Sequence, residues 1–394
     1  MKPVSLRFTP ILICLVLAAW SCPGAATVLR AANANAGDDQ AVTQDAGSKA
    51  AGINSAKVSQ SRQRGVEFLR TTQAEDGSWT LATAPGVSGL ITTALLKSGV
   101  SPADPMLDKA LRHLATFIQK DGGIYEKDSG HRNYETSICL LAFQAANDKG
   151  RFDKEVASAL DFLKKLQWDE SEDVQPDDVR FGGAGYGRSQ RPDLSNTAFL
   201  LEALKAAGVG PDDPAMKNAV VFVSRCQNLE SEHNTTLFAS KVNDGGFYYT
   251  PAGGGNSQAG PTENGGLRSY ASMTYSGLKS MIYAGVDSKD PRVQAAFKWI
   301  QKHYALDENP GMGQAGLYYY YHTFAKALDT MKLQVLEDAA GKKHDWRTEL
   351  TNHLLSLQKE NGGWVNPEKK WMEGDPNLAT AYALLTLAVL VPPK

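Results

Sequence analysis

Apolar residues recur at helical spacing along this chain, in segments that alternate between two kinds of polarity. In the first kind, apolar positions alternate with Lys, Asp and other charged residues, as in residues 159–165, which predicts a helix with one exposed face. In the second kind nearly every position is uncharged, as in residues 380–388, which predicts a helix buried on most sides. The alternation predicts an all-α protein with an outer and an inner layer of helices.

A short motif follows each charged helix and occurs six times. A Gln near the helix end precedes an acidic or polar residue, Gly and an aromatic or other apolar residue, as in Gln73 with residues 76–79. The third and fourth copies contain insertions before the Gly residues, and the fifth copy is degenerate. Repeats of this length are typical of folds in which each unit buries its apolar face against its neighbours. The repeated glutamines are Gln73, Gln119, Gln167, Gln227, Gln301 and Gln358.

A small hydroxyl residue in each uncharged helix aligns the six copies. Successive hydroxyl residues are 48, 61, 77, 49 and 57 positions apart. Six outer and six inner helices predict a closed α/α toroid of six helix pairs, which forms one domain over residues 57–394. An open solenoid is the alternative. The aligning residues are Ser88, Thr136, Thr197, Thr274, Thr323 and Thr380.

Residues 1–26 have the layout of a secretory signal peptide. Lys2 and Arg7 form a positive end, residues 11–20 are apolar, and small residues follow as far as Ala26. We therefore expect an exported protein, located in a periplasm or outside the cell.

The residues around the expected cleavage site allow a second interpretation. Cys22 would be the acylated residue of a lipoprotein, but the bulky Trp20 disfavours this alternative. Residues 27–56 are rich in small and polar residues and predict a flexible leader.

Composition excludes some classes of partner. The 394 residues include 41 Lys plus Arg and 43 Asp plus Glu, a formal charge of −2, so the basic surplus typical of nucleic-acid binding is absent. After the first 20 residues no apolar run approaches the roughly 18 residues that span a bilayer. We therefore expect membrane contact to be peripheral at most.

The Gln-Gly-aromatic motif and the paired helices resemble the repeats of the terpenoid cyclase and protein prenyltransferase superfamily. The resemblance covers nearly all of the chain after the leader. It implies an α/α toroid whose central cavity is lined by the N-terminal ends of the inner helices and by the Gly-aromatic loops. It also implies a small apolar molecule, such as an isoprenoid, as the partner.

The acid site of that family is only partly matched. Squalene-hopene-type cyclases protonate an alkene with the middle Asp of an Asp-x-Asp-Asp-Thr-Ala motif, to which residues 193–198 correspond. Asp193 matches the first Asp, but Ser195 replaces the proton donor and Asn196 replaces its neighbour. Neither side chain is a strong enough acid to protonate an alkene, so acid-initiated cyclisation is not expected.

The zinc site of the prenyltransferases is also incomplete. His322 matches the His ligand, whereas Tyr270 and Ser272 stand where the Asp and Cys ligands are expected. One ligand does not make a zinc site, so we expect neither a metal nor another cofactor.

The aligned inner helices place a set of polar side chains near the predicted cavity. Asp193, His322 and Tyr270 are the candidate catalytic residues. Asp193 also fits a helix N-cap and His322 a buried histidine with its hydrogen bonds satisfied, and these structural roles need no ligand. The candidate ligand-binding residues are Glu135, Asn196, Arg268, Tyr318, Tyr319 and Tyr321.

Three functions fit these observations. The first is binding of an apolar or isoprenoid ligand, with or without catalysis by a mechanism unlike that of the family. The second is a non-catalytic binding or scaffold toroid. The third is a carbohydrate-active toroid similar to a polysaccharide lyase, for which Arg268, Tyr270, His322 and Asn196 supply suitable residue types. An enclosed apolar cavity would favour the first function, a plugged centre the second, and an open groove with Arg beside Tyr and His the third.

Overall fold

A computed structural model of the protein describes residues 52–187 and 191–393. Their long helices form six consecutive pairs, each with an outer and an inner member. The outer helices are α1 (Ser55–Thr72), α3 (Pro105–Ala115), α5 (Asp153–Lys164), α7 (Pro214–Arg225), α10 (Pro291–Lys302) and α12 (Trp346–Leu357). The inner helices are α2 (Pro85–Lys97), α4 (Arg132–Ala145), α6 (Leu194–Ala206), α9 (Ala271–Tyr283), α11 (Leu317–Thr330) and α13 (Pro376–Leu390).

A few short elements lie in the loops between these helices. The described residues include the single-turn helix α8 (Ala239–Val242), an antiparallel hairpin of β1 (Leu336–Glu337) and β2 (Lys343–His344), and 3₁₀ turns at Asp148–Gly150, Glu170–Glu172 and Lys370–Met372.

The inner helices form a closed ring. Each packs against the next along the chain, from α2 through α4, α6, α9 and α11 to α13, and α13 packs against α2. The outer helices pack against the outside of this ring. The all-α class and the α/α toroid of six pairs are thereby confirmed, and the contact of α13 with α2 excludes the open solenoid.

The predicted signal peptide, residues 1–26, lies outside the described residues, as does the predicted leader as far as residue 51. The helix α1 begins at Ser55, where the side chain of Asn54 accepts a hydrogen bond from the backbone N–H of Lys57. None of the helices within residues 52–187 and 191–393 is both long and apolar enough to cross a bilayer.

The aligning hydroxyl residues hold the motif loops against the inner helices. In five of the six repeats the hydroxyl oxygen accepts a hydrogen bond from the backbone N–H of the apolar or aromatic loop residue, or of its counterpart. This contact explains why a hydroxyl occurs at the same place in the repeats. The pairs are Ser88 with Trp79, Thr136 with Ile124, Thr197 with Ala184, Thr274 with Phe247, and Thr380 with Trp364, at 2.9–3.0 Å.

The repeated glutamine joins neighbouring outer helices. The Nε2 group of Gln167 donates to the carbonyl of Gly182 in its own loop and to that of Ala215 in α7, both at 2.9 Å. Gln73, Gln227 and Gln358 make the same pair of contacts with their own loop and the next outer helix. For Gln358 the next outer helix is α1, so this contact closes the outer layer.

The loop glycine is required by close packing. Gly182 has a φ of 78°, and a Cβ atom there would lie 1.8 Å from the carbonyl oxygen of Asn218 in α7. Only glycine combines this left-handed backbone with such a close approach.

We predict that Gln167→Leu lowers the free energy of unfolding by about 2–4 kcal/mol, because two buried hydrogen bonds to backbone carbonyls are lost. Urea unfolding followed by circular dichroism measures the change. The matched control is Gln294→Leu on the exposed face of α10, where we expect a change below about 0.5 kcal/mol. Equal losses in the two variants would contradict the proposed role of the repeated glutamine.

Candidate functional site

The inner helices carry a stripe of side chains that faces the centre of the ring. On α6 this stripe runs from Asn196 through Phe199 and Glu202 to Lys205, at intervals of three residues. Because residues three and four apart share one face of a helix, the stripe passes from the N-terminal to the C-terminal end of the ring. Along this direction the interior changes from a polar cluster at the N-terminal end, through an aromatic layer, to a cavity at the C-terminal end.

The N-terminal cluster surrounds Asp193. This residue caps α6: its carboxylate accepts hydrogen bonds from the backbone N–H and the side-chain amide of Asn196, both at 2.9 Å. Tyr249 and Tyr186 lie close to this carboxylate. The N-cap role expected for Asp193 is thus observed in the structure.

Burial dominates the electrostatics of Asp193. The residue is 1% exposed, and this desolvation raises the pKa of its carboxyl from 3.8 to about 6 although its hydrogen bonds and the charge of Arg191 act in the opposite direction. Such a group exchanges a proton near neutral pH, but in a position enclosed by protein.

An aromatic layer lies between this cluster and the cavity. Phe199 makes an edge contact with Tyr134, with ring centroids 4.9 Å apart, and stacks on Tyr319 at 6.3 Å. Tyr319 in turn meets Tyr382 at 5.8 Å. Four inner helices therefore contribute one ring each to a continuous aromatic floor.

The central cavity lies on the other side of this floor and has a volume of about 740 Å³. The C-terminal halves of the inner helices line it, whereas the family resemblance places the cavity at their N-terminal ends. The aromatic floor explains the difference, because large rings occupy the interior next to the motif loops. The apolar wall is formed mainly by Leu90, Leu96, Leu141, Phe199, Leu385 and Val389.

Glu202 and Lys326 line this apolar cavity, and Lys279 joins them in a charged cluster without lining the cavity itself. The carboxylate of Glu202 in α6 contacts the ammonium groups of Lys279 in α9, at 2.6 Å, and of Lys326 in α11. These charges hold the pKa of Glu202 well below its usual value, so it is ionised. His322 lies nearby, and burial together with the charge of Lys326 lowers its pKa to about 3, so this imidazole is neutral.

His322 is the one candidate from the sequence that lies on the cavity wall. It is 7% exposed, and its Nδ1 atom has no hydrogen-bond partner in the described residues. Those residues also contain no group of three or more His, Cys, Asp or Glu side chains placed to hold a metal ion.

Other candidates hold loops or lie elsewhere. Glu135 accepts hydrogen bonds from the backbone of Glu126 and the hydroxyl of Ser129, and its burial raises its pKa. Arg268 is exposed and donates to the carbonyl of Pro261. Tyr270 is buried at the start of α9. The structure therefore does not bring Arg268 and Tyr270 together with His322 around an open groove.

The consecutive tyrosines of α11 point in different directions. Tyr319 joins the aromatic layer, whereas the hydroxyl of Tyr321 donates to the carbonyl of Leu306 at 2.6 Å and meets the His353 imidazole at 2.8 Å. The backbone N–H groups of Tyr318 and Tyr319 both donate to the buried carboxylate of Glu373, which caps this helix.

The sequence reasoning missed Glu202, Lys279 and Lys326. A usable signal was present, because these are charged residues in inner helices that are otherwise almost uncharged. Glu202 and Lys279 each lie five positions after the aligning hydroxyl of their helix, Thr197 and Thr274. Equal positions on neighbouring parallel repeats predict contact.

We predict that Asp193→Asn changes the pH dependence of stability. The pKa of Asp193 is higher in the folded than in the unfolded state. The contribution of its carboxyl to the free energy of unfolding is therefore complete below pH 3.8 and is lost as the pH rises through about 6. The loss is on the order of 3 kcal/mol and is absent from the variant, since Asn does not titrate. Urea unfolding between pH 4 and 7 measures it, with the exposed Asp212→Asn as control. Parallel pH profiles for wild type and Asp193→Asn would contradict the assignment.

Comparison with known proteins supports the fold. No family model matches the sequence, and no curated protein matches it. Solved structures do match, at TM-scores of 0.50. A variant of the type II terpene cyclase MstE from Scytonema, in complex with its product merosterolic acid A, is 14% identical, with 85% of this chain and 97% of that chain covered. The ligand-free form of MstE is 12% identical, with 84% and 97% covered. A novel α-amylase from Clostridium perfringens is 12% identical, with 84% and 98% covered. At these identities the comparison shows that the chain shares the terpenoid-cyclase-like α/α toroid fold.

Proposed function

We propose that this protein binds an apolar small molecule in the central cavity. The observation that carries the proposal is a cavity of about 740 Å³ whose wall is formed mainly by aliphatic and aromatic side chains. Small-molecule sites typically have volumes of about 300–1,000 Å³ and apolar walls with a few polar groups. Burial of a ligand's apolar surface against this wall supplies the binding free energy.

An isoprenoid is the ligand class that we favour. The similar toroid of MstE is a terpene cyclase and has been solved with its product, merosterolic acid A. A branched hydrocarbon chain of this kind would pack against Leu141, Leu385 and the ring of Phe199, which lie on three different helices. The curved interior suits a flexible chain because the wall is built from side chains of all six inner helices.

The proposal concerns binding, without acid-initiated cyclisation. Ser195 stands where the family has its proton donor, and a hydroxyl is far too weak an acid to protonate an alkene. The carboxyl of Asp193, whose pKa is raised, lies on the other side of the aromatic layer from the cavity and is enclosed by Asn196 and Tyr249.

We further propose that the protein is exported. The basis is the sequence of residues 1–26, with its positive end, apolar segment and small residues, all of which lie outside the described residues. Expression in a secreting host followed by intact-mass measurement tests this: we expect the exported form to begin close to residue 27. Recovery of the uncleaved chain from the cytoplasm would contradict export, and a lipid mass on Cys22 would establish the lipoprotein alternative.

Filling the cavity tests ligand binding. We predict that Ala145→Trp, at the end of α4 on the cavity wall, weakens binding of geranylgeraniol at least about tenfold, since the indole occupies volume needed by the chain. Native mass spectrometry of the whole protein with added geranylgeraniol measures the bound fraction. Ala388→Trp on α13 is a second variant with the same expected effect.

The matched control is Ala157→Trp on the exposed side of α5, which should bind like the wild type. If the wild type retains no geranylgeraniol, or if all three variants bind it equally, the cavity is not the binding site.

A further inference from the structure

The charged cluster in the cavity wall carries more positive than negative charge. Its members are the ammonium groups of Lys279 and Lys326 and the carboxylate of Glu202. The nearby carboxylate of Asp329 is paired with the guanidinium of Arg347, so one positive charge of the cluster remains in excess. The side chains of Lys279, Lys326 and Glu202 are 4%, 21% and 11% exposed, respectively. An uncompensated charge at this degree of burial is costly, because few water molecules can solvate it.

The hydrogen-bond donors of the cluster are also in excess. An ammonium group has three N–H donors. Within residues 52–187 and 191–393, Lys279 and Lys326 each donate one hydrogen bond, in both cases to Glu202. Lys279 otherwise lies 5.6 Å above the ring of Tyr283. The two remaining N–H donors of Lys326, which lines the cavity, therefore have no acceptor among the described residues.

His322 adds an unpaired polar atom at the same place. It lies one helical turn before Lys326 on α11, and both residues line the cavity. Its Nδ1 atom is buried and has no partner in the described part of the chain. A neutral imidazole accepts or donates one hydrogen bond at each nitrogen, so this group can adapt to an oxygen atom placed beside Lys326.

We propose that Lys326 and His322, which both line the cavity, bind the carboxylate head of an amphiphilic ligand whose hydrocarbon chain lies along the apolar wall. This proposal rests on the proposed function and specifies its ligand. A carboxylate brings one negative charge, which balances the excess of the cluster, and two oxygens that accept from the free ammonium donors. A phosphate monoester, with about 1.5–2 negative charges at pH 7, would overcompensate it.

Glu202 has a positioning role in this arrangement. Without it, two ammonium groups of neighbouring helices would repel each other across the cavity wall. Its carboxylate holds the two ammonium groups close together and uses only one N–H donor of each. Lys205 and Lys97 are exposed at the rim of the same cavity, where their charges would attract an anionic ligand from solution.

The test compares two ligands that differ only in their heads. We would measure dissociation constants of geranylgeranoic acid and geranylgeraniol by isothermal titration calorimetry at pH 7.5, with the whole protein. In the wild type we expect the acid to bind at least about tenfold more tightly than the alcohol, as charge-assisted hydrogen bonds predict. In Lys326→Met we expect the two ligands to differ by less than about twofold.

Two controls make the result decisive. Lys298→Met removes an exposed ammonium from the outer helix α10, away from the cavity, and should keep the preference for the acid. The alcohol itself reports folding of Lys326→Met, because its affinity should stay at the wild-type value. Should Lys326→Met fail to bind the alcohol, His322→Phe, which removes the second polar partner without removing a charge, takes its place and should reduce the acid preference.

Equal wild-type affinities for acid and alcohol would overturn the carboxylate site and leave the proposed function in place. Tighter binding of geranylgeranyl phosphate than of the acid would overturn the choice of carboxylate. If neither acid nor alcohol binds, the proposed function fails together with this inference.

Discussion

The side-chain amide of the repeated glutamine makes the contacts on which the toroid depends. A helix pair cannot fix its own position in a ring, so contacts with the neighbouring pair must do so. The glutamine amide has two N–H donors, which can reach a backbone carbonyl of its own loop and one of the next outer helix. Four glutamines each donate one hydrogen bond to their own loop and one to the next outer helix. They are Gln73, Gln167, Gln227 and Gln358. Four repeats are thereby joined to their successors in the same way, and the last is joined to the first.

The two repeats that differ show what the contact does. Gln119 donates only within its own loop, to the carbonyls of Phe117 and Tyr125, while the loop still packs closely on α5 at Gly122. In the degenerate fifth repeat, Gln301 donates to the carbonyl of Glu337 in β1, so the hairpin before α12 replaces the usual partner. The ring tolerates both departures because the inner helices remain continuous.

These repeated contacts explain how much the sequence could predict. The Gln, loop Gly and aligning hydroxyl recur in the same order in each copy, so the six copies and their pairing are visible without coordinates. The position of the cavity is different, since it depends on which rings of Tyr134, Phe199, Tyr319 and Tyr382 meet across the ring. The position of the cavity is therefore set jointly by residues of four helices that lie far apart along the chain, and no single motif encodes it. The candidate residues at the N-terminal ends of the inner helices belong to recognisable motifs, whereas the cluster around Glu202 shows in the sequence only as charged residues in helices that are otherwise almost uncharged.

The charged cluster is a poor means of stabilising the toroid. Removing three charged groups from water costs several kcal/mol for each ion, and apolar residues of similar size often stabilise a protein at least as well. The neighbouring wall shows that aliphatic packing is available at this depth, since Leu90 and Leu385 are both buried there. Stability alone therefore does not account for two lysines and one glutamate between the aromatic layer and the rim. A ligand with an apolar chain and a single negative charge does account for them, because it would bury its chain against that wall and neutralise the excess charge.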